Sequence, residues 1–217
     1  MLTIRYHDWT IKKTVLLVMK FEKLDIKKHS PNKVAELIYE TDQSIFNFFY
    51  GNKATAAKYL EKLVRVGGNN LGYEHINVAT NDDEVMGILL YSWGEGHHKL
   101  GELKVLFRNL DFLDAVRFLI IDLKDNLILS HLQKGDFYLA GVAVDEEVRG
   151  KGIGGLILEE AIKMAREREC KRVVLDVALD NPGAKRLYER IGFEVFNKKS
   201  FPWFGKRIGM FNMELKI

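Results

Sequence analysis

Four glycines fall within Arg149-Gly150-Lys151-Gly152-Ile153-Gly154-Gly155, between a continuous apolar run (residues 137–144) and a helical pattern carried by Ile153, Ile157, Ala161, Met164 and Ala165. This strand, glycine turn and helix in series constrains the chain more than any other stretch. Glycines remove side chains, so successive backbone N–H groups can converge on one anion. The helix start adds unpaired N–H groups and a positive dipole end, and Arg149 and Lys151 add charge. A diphosphate is the natural ligand. An R-x-x-G-x-G match alone arises by chance in about one unrelated chain in twenty of this length, so the flanking elements carry the weight.

Gly150, Gly152 and Gly155 also spell the dinucleotide pattern G-x-G-x-x-G, with Asp176 about 20 positions on. Two features oppose that reading. Asp145, Glu146 and Glu147 separate the strand from the first glycine, and the chain after residue 179 offers one helix and then antiparallel strands instead of further parallel ones. A triphosphate loop is excluded because no G-x-x-x-x-G-K-[ST] occurs.

Around this motif the pattern predicts an α/β fold in a single domain spanning residues 1–217, with residues 1–18 as an N-terminal extension and Met19 as an alternative start. Residues 14–20 are expected to be β-rich and continuous with a strand over 21–26. Ser30-Pro31 marks a helix start, and residues 33–41 and 53–66 space apolar side chains as two early helices. Residues 76–80 and 85–93 read as strands of an antiparallel hairpin turned at Asn81-Asp82-Asp83-Glu84. A helix over 111–131 places Phe112, Val116, Leu119, Ile120, Leu123 and Leu127 on one face, with Phe118, Ile121, Ile128 and Leu132 on another. It is therefore expected to be covered from two sides.

Residues 172–179 form the next strand, parallel to the first because a helix joins them. Asn181 as cap, Pro182 at the first position and Gly192 past the end bracket a second helix. Residues 193–196 and 209–217 close the chain as strands around an aromatic loop, Phe201-Pro202-Trp203-Phe204-Gly205.

The net charge of +3 argues for neither nucleic acid nor an anionic membrane. The one cysteine, Cys170, excludes an internal disulfide framework and suits a reducing compartment, which with the short early apolar run (residues 15–19) predicts a cytoplasmic protein. Glu95-Gly96-His97-His98 reads as a polar loop instead of a metal site, and no metal is expected. Lys198-Lys199 and Lys206-Arg207 are two short basic pairs at a surface loop.

Gly141-Val-Ala-Val-Asp-Glu-Glu-Val-Arg-Gly-Lys-Gly-Ile-Gly154 followed by Asn181-Pro-Gly-Ala-Lys-Arg-Leu-Tyr-Glu-Arg-Ile-Gly-Phe193 resembles the GNAT superfamily of acetyl-CoA-dependent N-acetyltransferases. The resemblance is close over residues 137–194 and looser elsewhere. It implies a mixed, mostly antiparallel sheet with a splayed central parallel strand pair, flanked by helices. It implies that acetyl-CoA is the acetyl donor, with its pantetheine arm pairing to backbone at Val142, Ala143 and Val144. The diphosphate is then held by Arg149, Gly150, Lys151, Gly152, Ile153 and Gly154.

Asn181 and Tyr188, two turns apart on one helix face, are placed by the resemblance near the pantetheine arm and the sulfur. Tyr188 is the catalytic candidate, its hydroxyl donating to the departing thiolate. Read without the resemblance, Asn181 is a helix cap and Tyr188 a core aromatic. The reaction implied is direct attack of a primary amine on the thioester in a ternary complex. The acceptor is an amine-bearing small molecule or a protein or peptide, with no nucleic acid or membrane partner. Asp136, Tyr138, Asp176 and Glu102 are the candidates for a base, and none is singled out. Residues 41–50 and the final loop are expected to select the acceptor. The helical insertion over 111–133 is expected to make a homodimer contact or wall the acceptor pocket. The alternative function is a catalytically silent acetyl-CoA-binding sensor or interaction module.

Overall fold

The structure, a computed structural model, describes residues 19–94, 99–203 and 205–217. The extension over 1–18, His97-His98 and Phe204 lie outside the described residues. The strands form one mixed seven-stranded sheet in the order β1-β2-β3-β4-β5-β7-β6. They are β1 (Lys20–Lys23), β2 (Ile76–Asn81), β3 (Glu84–Trp93), β4 (Asp136–Val144), β5 (Arg172–Ala178), β6 (Glu194–Trp203) and β7 (Lys206–Lys216). Only β4 and β5 pair in parallel among the described pairings. The helices are α1 (Pro31–Thr41), α2 (Gln43–Tyr50), α3 (Lys53–Val66), α4 (Lys99–Asn109), α5 (Phe112–Ile128), α6 (Ile153–Glu167) and α7 (Pro182–Ile191). No helix of the described residues is long and apolar enough to cross a membrane.

Contacts divide the chain into two compact units. The first holds the described residues up to Leu90 together with Gly141–Ala161. Here β1, β2 and β3 run antiparallel, and the expected hairpin turns at Asp82 and Asp83, whose φ of 47° and 65° suit a two-residue loop. The Ser30 hydroxyl accepts from Lys33 N (3.3 Å) ahead of Pro31, so α1 starts where the cap and proline predict. α1 buries Val34, Leu37 and Ile38, and α3 buries Ala56, Tyr59, Leu60 and Leu63. Between them α2, which the apolar pattern did not reveal, is started by Asp42, whose Oδ1 accepts from Ile45 N (3.2 Å). A Cβ on Gly87 of β3 would stand 2.8 Å from Ile157 and 3.0 Å from the Ala143 carbonyl, so glycine permits a close approach there.

The second unit holds Tyr91–Ala140 and Ile162–Ile217. β4 and β5 pair in parallel from Asp136↔Arg172 to Leu139↔Leu175, and the ladder ends there although both strands continue. Phe137, Leu139, Val173, Leu175 and Met213 are buried in its core. Two expectations need correction. Phe201, Pro202 and Trp203 are strand, not loop, since they pair with Ile208, Arg207 and Lys206 and leave only residues 204 and 205 to turn. The sequence disguised this because Lys199, on the face shared with Phe201, is half-buried by its aliphatic stem while its ammonium donates to the Leu129 carbonyl (2.6 Å). Pro202 is tolerated because β6 is an edge strand.

The second correction concerns α5. Ala115 and Phe118 are buried, together with the polar Asp114 and Lys124, but Phe112, Leu123 and Leu127 of the expected core face are exposed. Its cap is Asp111, whose Oδ1 accepts from Asp114 N (3.0 Å).

Gly209 of β7 offers a test of the packing of this hairpin. A Cβ there would lie 2.6 Å from the Lys199 carbonyl and 2.7 Å from Leu179. Gly209→Ala is expected to destabilise the protein by about 1–3 kcal/mol, read as a lower urea midpoint at unchanged slope. An unchanged midpoint would show that β6 and β7 separate freely at this point.

Candidate functional site

Within the first unit, β4 ends at Val144 and the chain makes one 3-10 turn (Glu146–Val148), capped by Asp145 Oδ1 accepting from Glu147 N (2.9 Å). Asp145 N donates to the Met86 carbonyl (2.8 Å), which ties this bend to β3. Gly150 (φ +77°) and Gly152 (φ +92°) then take left-handed conformations that favour glycine. A Cβ on either would meet nothing within 4 Å, so these glycines answer to backbone conformation and the space beside them is open.

The amides of Gly155 and Leu156 turn back onto the Gly152 carbonyl (3.0 and 3.2 Å) and start α6. Among the described residues, no carbonyl or side chain accepts from the N–H groups of residues 150–154. That is the donor set an anion needs. Ile153 contributes through its backbone, since its side chain is buried in the core. Val142 and Val144 are half-buried and Ala143 is buried. The Val144 carbonyl accepts from Arg149 Nε (2.9 Å).

Charge around the loop is arranged in pairs. Arg149 Nη2 donates to Glu40 (3.3 Å), which also accepts from Lys53 (2.9 Å) and Gln43 (2.7 Å), while Lys33 pairs with Asp145. Burial pushes the Glu40 carboxyl upward, but Lys53, Arg149 and Gln43 outweigh it and the net displacement is downward. The Asp145 carboxyl is also lowered: Lys33 and the Glu147 N–H overcome the cost of burial.

In the second unit, the Asn181 side chain caps α7 by accepting from Ala184 N (3.0 Å), and Gly192 ends the helix at φ +107°, as the sequence predicts. The cap uses Oδ1 and leaves the two donors of the amide nitrogen for other work. Tyr188 is half-buried and meets Phe193 edge-on (5.8 Å between ring centres, 63°). Burial pushes its hydroxyl up to about 12, so it stays protonated at neutral pH.

The base candidates are otherwise engaged. Asp136 accepts both Nε and Nη2 of Arg172 (2.8 and 2.9 Å), and Arg172 Nη1 donates to Glu214 (2.6 Å). Asp176 accepts from Ser130 N (3.0 Å), Ser130 Oγ (2.7 Å), the Tyr138 hydroxyl (2.9 Å) and Asn212 Nδ2. Burial, then the Asp176 charge, holds the Tyr138 hydroxyl well above its ordinary range. Glu102 falls on α4. These partners lie 36 or more positions apart in most cases, so no local pattern announces them. Among the described residues, no three His, Cys, Asp or Glu side chains gather as metal ligands.

The chain is similar to known proteins of one family. The family model described as Acetyltransferase (GNAT) family matches residues 37–193. N-alpha-acetyltransferase 30 of Xenopus laevis is 36% identical over 78 residues, which is 36% of this chain and 28% of that protein. The chain therefore matches less than a third of that relative's length. A crystal structure of an N-acetyltransferase from Staphylococcus aureus Mu50 shares the fold at a TM-score of 0.64 and 17% identity, covering 90% of this chain and 100% of that one. An acetyltransferase of Bacillus subtilis solved in complex with CoA shares it at 0.52 and 13%, covering 92% and 99%. With both signature stretches inside the matched residues, the chain belongs to the GNAT acetyltransferase family.

Proposed function

We propose that the protein is an acetyl-CoA-dependent N-acetyltransferase that acetylates a primary amine by direct attack in a ternary complex. The observation that carries this reading is the open, left-handed glycine loop at the start of α6, with its unpaired N–H groups and the Arg149 guanidinium. The two proteins named above as N-acetyltransferases and the acetyltransferase solved with CoA support it. Bound acetyl-CoA supplies an acetyl thioester open to an amine.

On this reading Arg149, Gly150, Lys151, Gly152, Ile153 and Gly154 hold the diphosphate. Backbone groups at Val142, Ala143 and Val144 pair with the pantetheine amides. Asn181 Nδ2 donates to the same arm. The Tyr188 hydroxyl, protonated at working pH, donates to sulfur as it takes up charge.

The engaged state of Asp136 and Asp176 bears on the acceptor. A lysine-like amine, with a pKa near ~10.4, needs a strong base at neutral pH, whereas an α-amino group near ~7.7–8.0 is largely free of its proton on mild alkalinity. A protein or peptide N-terminus is therefore the acceptor class this chain suits, in line with the N-alpha-acetyltransferase relative.

The test is release of CoA thiol from acetyl-CoA with peptides bearing a free N-terminus, against the same peptides blocked there and carrying lysine. Release with the free N-terminus alone is expected. Saturable coenzyme binding without release from any amine would make the chain a sensor, and no binding heat with coenzyme A would refute the cofactor. Arg149→Glu should weaken coenzyme A by roughly tenfold to a hundredfold in calorimetry, through a lost charged hydrogen bond and phosphate repulsion. Unchanged affinity would remove the loop from the site.

A further inference from the structure

We infer that Glu40 is a positioning residue whose carboxylate holds Arg149 in the orientation that grips the coenzyme's diphosphate. The inference rests on the cofactor reading above. Glu40 sits near the end of α1 with a side chain only 14% exposed. Its two oxygens are pinned from the first residues of two other helices and from the loop. Oε1 accepts Lys53 Nζ of α3 (2.9 Å), and Oε2 accepts Gln43 Nε2 of α2 (2.7 Å) and Arg149 Nη2 (3.3 Å). The carboxylate is thus a fixed post, built from three helices, standing beside the glycine loop.

Arg149 has a side chain 51% exposed, and an exposed arginine samples many rotamers unless it is tied. Two ties are present here. Nε donates to the Val144 carbonyl (2.9 Å) and Nη2 to Glu40, so two of five N–H donors are used on one edge of the guanidinium. The end-on fork, with both hydrogens of Nη1 and one of Nη2, remains for an anion, and that fork matches the spacing of phosphate oxygens.

A rival role for Glu40 is that of a competitor that neutralises Arg149 until the coenzyme displaces it. The distances argue against it: Lys53 lies closer to the carboxylate than Arg149 does, so the ammonium meets most of the negative charge and the guanidinium keeps its own. Glu40 then orders the side chain ahead of binding, and the ordering cost no longer falls on the coenzyme.

The experiment is calorimetry with coenzyme A and with pantetheine, which lacks the diphosphate, on the full chain and its variants. Glu40→Ala should bind coenzyme A about three- to tenfold more weakly and pantetheine with unchanged affinity. Glu40→Gln, which keeps an acceptor oxygen, should stay within about twofold of the parent. In an Arg149→Ala background, Glu40→Ala should have no further effect, since Glu40 acts through the arginine.

Equal or tighter coenzyme binding by Glu40→Ala would overturn the proposal. So would a parallel loss with pantetheine, which would mark a structural role. If Glu40→Ala does not fold, Arg149→Lys keeps the charge without the fork. A weaker coenzyme is expected there, and parental affinity would overturn the role of orientation. Absence of coenzyme heat in the parent protein would instead defeat the cofactor reading, and this inference with it.

Discussion

Replacing Asp136 with alanine should cost about 3–5 kcal/mol of folding stability, the largest loss expected of any single change in this protein. Asp136 is 2% exposed and accepts a two-pronged contact from Arg172 as well as the Gln133 N–H (2.7 Å). Arg172 also reaches Glu214, so one guanidinium ties the first residue of β4, its own strand β5 and the end of β7. Removing the carboxylate leaves a mostly buried cation with half its partners and the Gln133 amide with none on that side.

Energetic asymmetry makes this severe: creating a buried ion pair gains little, whereas breaking one strands a charge. The remaining Glu214 contact sets the expectation toward the lower end of the range. The same pair holds the Arg172 guanidinium above its already high ordinary range, with Asp136 hydrogen bonding the leading cause. A raised basic group contributes stability below its unfolded pKa and loses it only as pH rises through the folded value. The arginine side of the pair therefore contributes across the neutral range, as long as its carboxylate partners stay ionised. Urea unfolding followed by circular dichroism reads the loss directly. A change under about 1 kcal/mol would show that Glu214 and solvent replace Asp136 without penalty.

Tyr188→Phe is expected to lower turnover by about a hundredfold while leaving coenzyme A affinity within about twofold. The separation of the two effects is the informative part. The ring packs against Phe193, and phenylalanine preserves that contact, so neither folding nor ground-state binding should suffer. The lost hydroxyl matters only as sulfur gains charge, which is a contribution made in the transition state. Because burial raises this hydroxyl to about 12, the wild-type protein should show no fall in turnover from its ionisation below about pH 11. Equal turnover in Tyr188→Phe would strip the residue of its proposed role and leave it a packing aromatic.

What could be read along the chain and what could not divides along the range of the forces involved. Ser30-Pro31 at the start of α1, Asn181-Pro182 and Gly192 around α7, the Asp82-Asp83 turn and the glycine loop before α6 all appear where the sequence predicts them. In each, a side chain or a missing Cβ acts on backbone within about four residues, so the chemistry is complete in the local sequence. The two signature stretches that reveal the family are of this kind.

The short helices α2 and α4 escaped because they lack the cap-and-proline start that marks α1 and α7, and eight to eleven residues of periodicity alone are a weak signal. The later part of strand β6, residues 197–203, escaped because lysine stems and an edge proline blur its alternation. The exposed face of α5 escaped for a different reason. A helix rich in apolar residues does not reveal which of them the packing will cover.

By itself, then, the sequence determined where the chain turns, where its helices begin and which backbone can face an anion. Only the tertiary structure decided that Glu40 stands beside Arg149, 109 positions away, and that Asp136, Arg172 and Glu214 share one ion pair. Such charges meet through strand register and helix placement, and those follow from burying the whole apolar set at once.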